Sequence, residues 1–380
     1  MTKTHHFRVD NGDMALIEFE SGRRLIVDIN IRCAADDEDD DTPDVAAQLR
    51  DLLERDAEGR LFVDAFLLTH PDEDHIRGLE THFHLGALDD WDEDDDKIVI
   101  REMWSSPMIF RRRSKEHKLC DDAHAWGCEA RRRVALYRQD VWLNDGDRIL
   151  VLGEDVDGKT DDLGDILVCT GERFSSIDGI EDDSFSALLL APLPPADEEE
   201  EEVLSKNNSS VIVQLTLSAD GNDDAARYLF GGDAEVAIWE RLWAAHEDEP
   251  GNLEYDVLIA PHHCSWHSLS WDSWSEKGED VEVSADARNA LSQARAAAIV
   301  IASSCAVEDD DNDPPCIRAK REYEEIVEEV GGEFRCVADG DDDQPLAIEI
   351  GSKGTKFMRA ALAASAAAST GIGTEALPHG

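Results

Sequence analysis

Residues 67–79 read LLTHPDEDHIRGL. Two histidines and three carboxylates occupy the six positions from His70 to His75, directly after the apolar run Phe62 to Thr69. That run reads as a buried strand, and Ile76 can open a helix. In an extended chain the side chains at i, i+2 and i+4 share a face. His70, Asp72 and Asp74 have that spacing, and His75 follows where the chain turns. Imidazole nitrogen and carboxylate oxygen are ligands for borderline divalent ions such as Zn²⁺ or Mn²⁺. Without a cation, Asp72 and Asp74 would repel each other in a partly dry site. Helix capping is the competing reading, because acids at a helix start are favoured by its dipole. Capping accounts for the aspartates and leaves the two flanking histidines unexplained.

Two more strand-like runs end in the same kinds of side chain. Arg227 to Phe230 runs into Gly231-Gly232-Asp233, and Val257 to Ala260 runs into Pro261-His262-His263. Taken singly, Asp233 suits a cap for a helix from Ala234, and the histidines suit satisfied polar residues. If the three strands lie side by side, their ends converge on one edge, where open α/β sheets place their sites.

Composition sets the surroundings of this set. The chain has 380 residues, with 36 Lys and Arg against 87 Asp and Glu, a net charge of −51. An apolar fraction of 42% supports a sizeable core. The acid is spread through several loops, among them ADDEDDDTPD, LDDWDEDDDK and VEDDDNDPP. A whole surface of like charge repels itself, and concentrated salt screens that repulsion, so we expect a protein adapted to high salt. The N-terminal stretch MTKTHHFRVDNGD has no apolar signal region. No window approaches the ~20 apolar residues of a membrane span. The eight cysteines form no C-x-x-C pair, which argues against a thiolate metal knuckle. We expect reduced thiols and a cytoplasmic location without membrane contact.

Strand patterns precede and follow these motifs. Met14 to Phe19 and Arg24 to Asp28 form a strand–turn–strand. Further strands are expected at Lys97 to Trp104, Arg148 to Leu152, Ile166 to Cys169, Phe185 to Leu190, Ser210 to Leu217, Ala298 to Ile301, Glu333 to Val337 and Leu346 to Ile350. Helices are expected over Val45 to Leu53, His117 to Arg138, Ala234 to Ala245, Ala285 to Ala297 and Ala319 to Val330. The pattern suggests two packed sheets with helices outside. One domain is expected over residues 1–358, with acidic loop insertions, and residues 359–380 read as an Ala-rich, flexible tail.

The ordered motifs resemble the metallo-β-lactamase superfamily, in particular the ComEC-type hydrolases. NGDMALIEF and RLIVDIN are similar to that family's opening hairpin, which ends in an aspartate, here Asp28. HPDEDH matches H-x-D-x-D-H, LFGGDAE matches L-x-G-D-A-E, and NNSSVIVQL, from Asn207, looks like the N-x-S strand entry. APHHCSWHS resembles P-H-H-G-S-x-x-S, with Cys264 in place of the glycine. The resemblance spans about Asp10 to Gly351 and implies an α/β (α+β) four-layer αββα sandwich. It implies two divalent ions, Zn²⁺ or alternatively Mn²⁺, held by His70, Asp72, Asp74, His75, Asp233 and His263, with His262 as the alternative to His263. Asp233 would bridge the ions. Asp74 and Asp233 would be the catalytic carboxylates around a metal-activated water. Asn208 and Ser265 would help to bind substrate. The superfamily often supplies one more histidine between HPDEDH and GGD. Here Trp104 to Met108 (WSSPM) sits in that place, and His117 and His124 read as solvent-facing residues on a charged helix.

Substrate is the least legible property. The resemblance implies phosphodiesters, as a nuclease or phosphodiesterase. Arg111, Arg112, Arg113, Lys115, Lys118, Arg131, Arg132 and Arg133 are the main basic concentration. Arginine forks match phosphate oxygens, so Arg112 and Arg132 are candidate substrate contacts on a basic lip. The alternative is a solvated helix that neutralises acidic loops. The charge of −51 repels a polyanion at long range, so nucleic acid and a small phosphodiester both stand as partners. A small-molecule ester or phosphoester hydrolase is the second enzyme reading. A non-catalytic, metal-binding regulatory protein is the reading from another class.

Overall fold

The computed structural model describes residues 1–33, 42–110, 119–155, 158–193, 209–340 and 344–358. Two large sheets lie face to face. The first runs in the order Gly354–Phe357, Leu346–Gly351, Thr2–His6, Ala15–Glu18, Arg24–Val27, Phe62–Leu68, Ile98–Ser105, Arg148–Leu152, Leu167–Val168. The second runs Arg173–Phe174, Phe185–Ala191, Ile212–Ala219, Asn222–Phe230, Tyr255–Ile259, Ala294–Ala302, Glu333–Cys336.

Alternation along single strands builds the layers. Ala65 and Leu67 face the core between the sheets, together with Trp104, Leu215, Tyr228 and Val257. Phe66 and Leu68, one residue out of phase, face a second core under the Val45–Leu52 and Asp121–Arg138 helices, with Leu49, Trp126 and Ala130. The outer face of the second sheet is covered by Val236, Trp239, Leu242, Ala287 and Tyr323. These come from the helices Val236–His246, Ala285–Leu291 and Ile317–Glu329. A strand with period two has an apolar face on each side only when both sides are covered. The fold is therefore the four-layer αββα sandwich.

The strands that lead into the motifs each have a parallel neighbour within their own sheet. Arg24–Val27 pairs Phe62–Leu68, which pairs Ile98–Ser105, and Asn222–Phe230 pairs Tyr255–Ile259. Parallel neighbours bring their C-terminal ends to one edge. Asp28, His70, Asp233 and His262 all follow such ends directly or within three residues.

One strand was not anticipated, and two local expectations change. Thr2–His6 is a strand between Ala15–Glu18 and Leu346–Gly351, although THH carries no marked alternation. The strand after the Ala285–Leu291 helix begins at Ala294, inside the stretch expected to stay helical. Alanine favours helix, but here the backbone of Ala294–Ala302 pairs with Tyr255–Ile259 and Glu333–Cys336. Tertiary pairing outweighs that propensity. The residues after His75 form two short helical turns, Glu73–Ile76 and Leu79–His82, rather than one longer helix. Among the described residues no helix is long and apolar enough to cross a membrane.

Candidate metal centre

The site is assembled around one buried aspartate at each of two levels. The inner one is Asp28, fully buried at the end of Arg24–Val27. Its Oδ1 accepts the Thr69 backbone N–H at 2.7 Å, and its Oδ2 accepts the Thr69 hydroxyl at 2.6 Å. The same Oδ2 lies 2.8 Å from His75 Nδ1. Because the Thr69 hydroxyl proton is given to Asp28, its oxygen can accept from His70 Nδ1 at 3.1 Å. This pattern assigns the proton to Nδ1 of both histidines. Each Nε2 lone pair is left facing away from Asp28.

The outer aspartate is Asp233. Its two oxygens face different imidazoles. Oδ1 lies 3.0 Å from His75 Nε2 and 3.4 Å from His263 Nε2. Oδ2 lies 3.6 Å from His70 Nε2 and 3.7 Å from His262 Nε2. His75 Nε2 and His263 Nε2 are 3.2 Å apart, and Asp74 Oδ2 is 3.4 Å from His263 Nε2. Asp72 stands at the rim, half-exposed, 3.9 Å from His70 Nε2.

Two glycines permit this approach. Gly232 has φ +49°, and a Cβ there would sit 2.9 Å from Ser210 Cβ and 3.1 Å from Thr69 Cβ. Gly12 is packed so that a Cβ would meet Asn30 Nδ2 at 2.2 Å and the Asp74 carbonyl at 2.7 Å. The turn carrying Gly12 delivers Asp13, which the sequence reading missed. Asp13 is buried, its N–H donates to Asp74 O at 3.3 Å, and its Oδ1 lies 3.5 Å from His263 Nδ1. Asp13, His75, Asp233 and His263 each offer an atom within 4.8 Å of the others. The sequence signal was slight: a carboxylate after Asn-Gly reads as an ordinary turn residue.

A cation fits this donor set. His70 Nε2, Asp233 Oδ1, Asp13 Oδ1, His262 Nδ1 and His263 Nδ1 are buried and have no hydrogen-bond partner. Buried polar atoms left unpaired are costly, and a cluster of them points to a ligand. The ligand-atom separations of 3.0–3.7 Å around Asp233 match the ~3.4 Å expected between neighbours in a tetrahedron of ~2.1 Å bonds. Electrostatics agree. Burial opposes a charge on Asp233, yet His75, His263 and His70 hold its carboxyl well below the usual range. Burial likewise opposes charge on His75 and His263, and Asp233 foremost raises both well above the ordinary histidine value. A bound cation would take over the protons' part in that balance.

The remaining candidates are dispersed. Ser265 is buried, donates to Asp313 Oδ1 at 2.7 Å and accepts from His267 N at 3.1 Å. Arg132 is held by Glu129 at 2.7 Å, Asp147 at 2.9 Å and the Gly146 carbonyl at 2.8 Å. Arg133 is buried and donates to the carbonyls of Ile100 and Arg148. Those partners lie at the starts of their strands, so the structure keeps Arg132 at the opposite end from the ligands. His124 is exposed beside Cys128. Ser105 Oγ, at the end of Ile98–Ser105, accepts from Trp126 Nε1 at 3.0 Å. Arg112, Asn208 and His117 lie outside the described residues, as does the tail expected at 359–380.

No family model matches the chain. No curated protein matches it by sequence. Solved structures of similar shape include a mutant of the CmlA β-hydroxylase, with a TM-score of 0.40 and 12% identity over 88% of this chain and 52% of that one. The chain thus spans about half the length of that protein. Zn²⁺-bound PqqB from Methylobacterium extorquens gives a TM-score of 0.40 and 11% identity over 90% and 89% of the two chains. Unliganded yeast PDE1 gives 0.39 and 12% identity over 88% and 96%. Likeness of this degree carries no argument about chemistry. The layer order and the position of the ligand edge define a four-layer αββα sandwich with its candidate ligands at one edge.

Proposed function

We propose that the chain is a metal-dependent hydrolase of phosphodiester bonds, with two divalent ions bridged by Asp233. The observation that carries this reading is the division of Asp233: Oδ1 faces His75 and His263, and Oδ2 faces His70 and His262. His75, His263, Asp74 and Asp233 Oδ1 would hold one ion. His70, Asp72 and Asp233 Oδ2 would hold the other. When bound, such a pair supplies a nucleophile at neutral pH and charge stabilisation for an in-line displacement.

The protein's own groups orient and move protons. Asp28 fixes the ring orientation of His75 directly and of His70 through Thr69. Carboxylates in this position raise ligand basicity. The Asp74 side chain is partly exposed beside His263 Nε2, where it can accept a proton from water entering the edge. Zn²⁺ suits the mixed imidazole–carboxylate set, and Mn²⁺ suits its oxygen share. The described part of the basic helix is spent in ion pairs at the far end, and the net charge is −51. Both features favour a small diester over a long polyanion, although the motifs resemble ComEC-type hydrolases.

The test is a panel of bis-p-nitrophenyl phosphate, single-stranded DNA, RNA and p-nitrophenyl acetate after loading with Zn²⁺ or Mn²⁺. Diester cleavage that is lost with chelator and in Asp74→Asn supports the proposal. Cleavage of the acetate alone supports the small-ester reading. Metal loading with no turnover on the panel supports the regulatory reading.

A further inference from the structure

The Pro261–Cys264 turn offers two adjacent histidines, and its backbone is unusual. His262, His263 and Cys264 have φ of 52°, 53° and 68°. A non-glycine residue in the left-handed region is strained and persists only where its surroundings enforce it. Here they do. His262 N donates to Gly232 O at 3.0 Å, Ser265 N to His262 O at 2.9 Å, and Cys316 N to Cys264 O at 3.0 Å. The outcome is a pair of neighbouring imidazoles with centroids 6.0 Å apart and planes inclined by 74°. They flank Asp233 from two sides, His263 Nε2 beside Oδ1 and His262 Nε2 beside Oδ2.

We infer that this turn serves both halves of the centre, and that His262 is the second nitrogen ligand of the His70 half. This rests on the two-ion reading above. The neighbouring strand end supplies no imidazole there: Ile98–Ser105 ends in Ser105 and Ser106, and the Ser105 hydroxyl is engaged by Trp126. With His262 the half comprises His70, His262, Asp72 and Asp233 Oδ2, two nitrogens and two oxygens. A single ligand from the turn would need only one histidine in the strained conformation. A bystander His262 would leave its largely buried ring, 3.7 Å from Asp233 Oδ2, unexplained.

The two halves are unequally supported. His75 Nδ1 is 2.8 Å from Asp28, which backs that ring, while Asp13 Oδ1 stands 3.5 Å from His263 Nδ1 without a hydrogen bond. In the other half His70 Nδ1 has only the Thr69 hydroxyl, His262 Nδ1 has no partner, and the Asp72 side chain is 46% exposed. Outer carboxylates strengthen imidazole ligation by roughly 10–100-fold. The ion near His262 is therefore the looser, exchangeable one.

His262→Asn tests this, because asparagine tolerates the left-handed region. Zn²⁺ binding is measured by equilibrium dialysis with elemental analysis on the full chain. Wild type is expected to bind a tight ion and a weaker one. His262→Asn is expected to keep the tight ion and to lose at least about tenfold in affinity for the second. Two ions bound with wild-type affinities by His262→Asn would overturn the inference and leave the two-ion reading intact. Wild type that never exceeds one ion would overturn the two-ion reading itself. A measurement on unmodified protein covers a variant that fails to fold. In a stepwise Zn²⁺ titration followed by histidine side-chain NMR, the His263 ring should respond to the first equivalent and the His262 ring to the second. Simultaneous responses would contradict the division.

Discussion

Asp28 Oδ2 lies 2.8 Å from His75 Nδ1, and neither side chain is exposed to solvent. The same oxygen accepts the Thr69 hydroxyl that positions His70. One carboxylate that need not touch any ion therefore orients both histidines of the HPDEDH motif. Replacement of Asp28 by asparagine removes the charge and turns one acceptor oxygen into a donor; at Oδ2 that forfeits both the Thr69 hydroxyl and the His75 contacts. Zn²⁺ affinity should fall by roughly 10–100-fold with the circular dichroism spectrum unchanged. Wild-type affinity in Asp28→Asn would deny Asp28 this role.

Removal of metal should destabilise the fold. The unpaired atoms of Asp13, His70, Asp233 and His263 are buried between the two halves of the sandwich, and an ion that binds only the folded state stabilises by mass action. At a free concentration one hundred times the dissociation constant the gain is about 2.7 kcal/mol. Thermal melting in the presence of a chelator should fall by several degrees and recover when Zn²⁺ is added in excess. A melting temperature indifferent to both additions counts against a resident ion.

A second buried carboxylate gives a pH signature away from the ligands. Glu102 is buried, and burial pushes its carboxyl up to about 7 despite hydrogen bonds from Trp104 Nε1 and Asp178 N to its Oε2. The folded chain keeps a proton that the unfolded chain releases above about 4.5. Stability from this group is full below that pH, declines as pH rises through about 7, and is then lost. Glu102→Gln keeps an acceptor and carries no charge. It should flatten the decline between pH 5 and 8, a difference of roughly 3 kcal/mol. A variant whose melting temperature tracks wild type across that range would rule out this source of pH dependence.

Much of this site could be read along the chain, and the misses share one cause. HPDEDH, GGD and PHH each follow an apolar strand, but the first strand lies in one sheet and the other two in the second, so convergence also needs the two sheets to pack with these ends at one edge. Asp13 was hidden because its place depends on a turn packed under the Asp74 carbonyl, a contact between distant segments. The sides taken by His262 and His263 depend on backbone dihedrals that residue type does not dictate. Arg132 and Arg133 looked like a lip or a solvated face. Their forks instead close on Glu129 and on carbonyls at the strand starts, which helical periodicity does not reveal. Ala294 to Ala297 has helical composition, and the sheet takes part of it because two strands flank it.

The charge of −51 makes salt a further handle. Raising salt from 0.1 to 1 M shortens the screening length from about 10 to 3 Å, which should relieve repulsion among acidic loops. The melting temperature should rise over that range. A flat or falling curve would set aside the high-salt expectation and leave the metal centre untouched.

The central claim is that Asp233 joins two ions through its two oxygens. The most direct measurement is the metal-to-protein ratio of purified wild type and Asp233→Asn, by elemental analysis after dialysis against excess Zn²⁺. The account predicts a ratio near two for wild type, as a bridged pair requires, and clearly below one for a folded Asp233→Asn. Wild type without metal, or an Asp233→Asn variant that keeps the wild-type ratio, would contradict it.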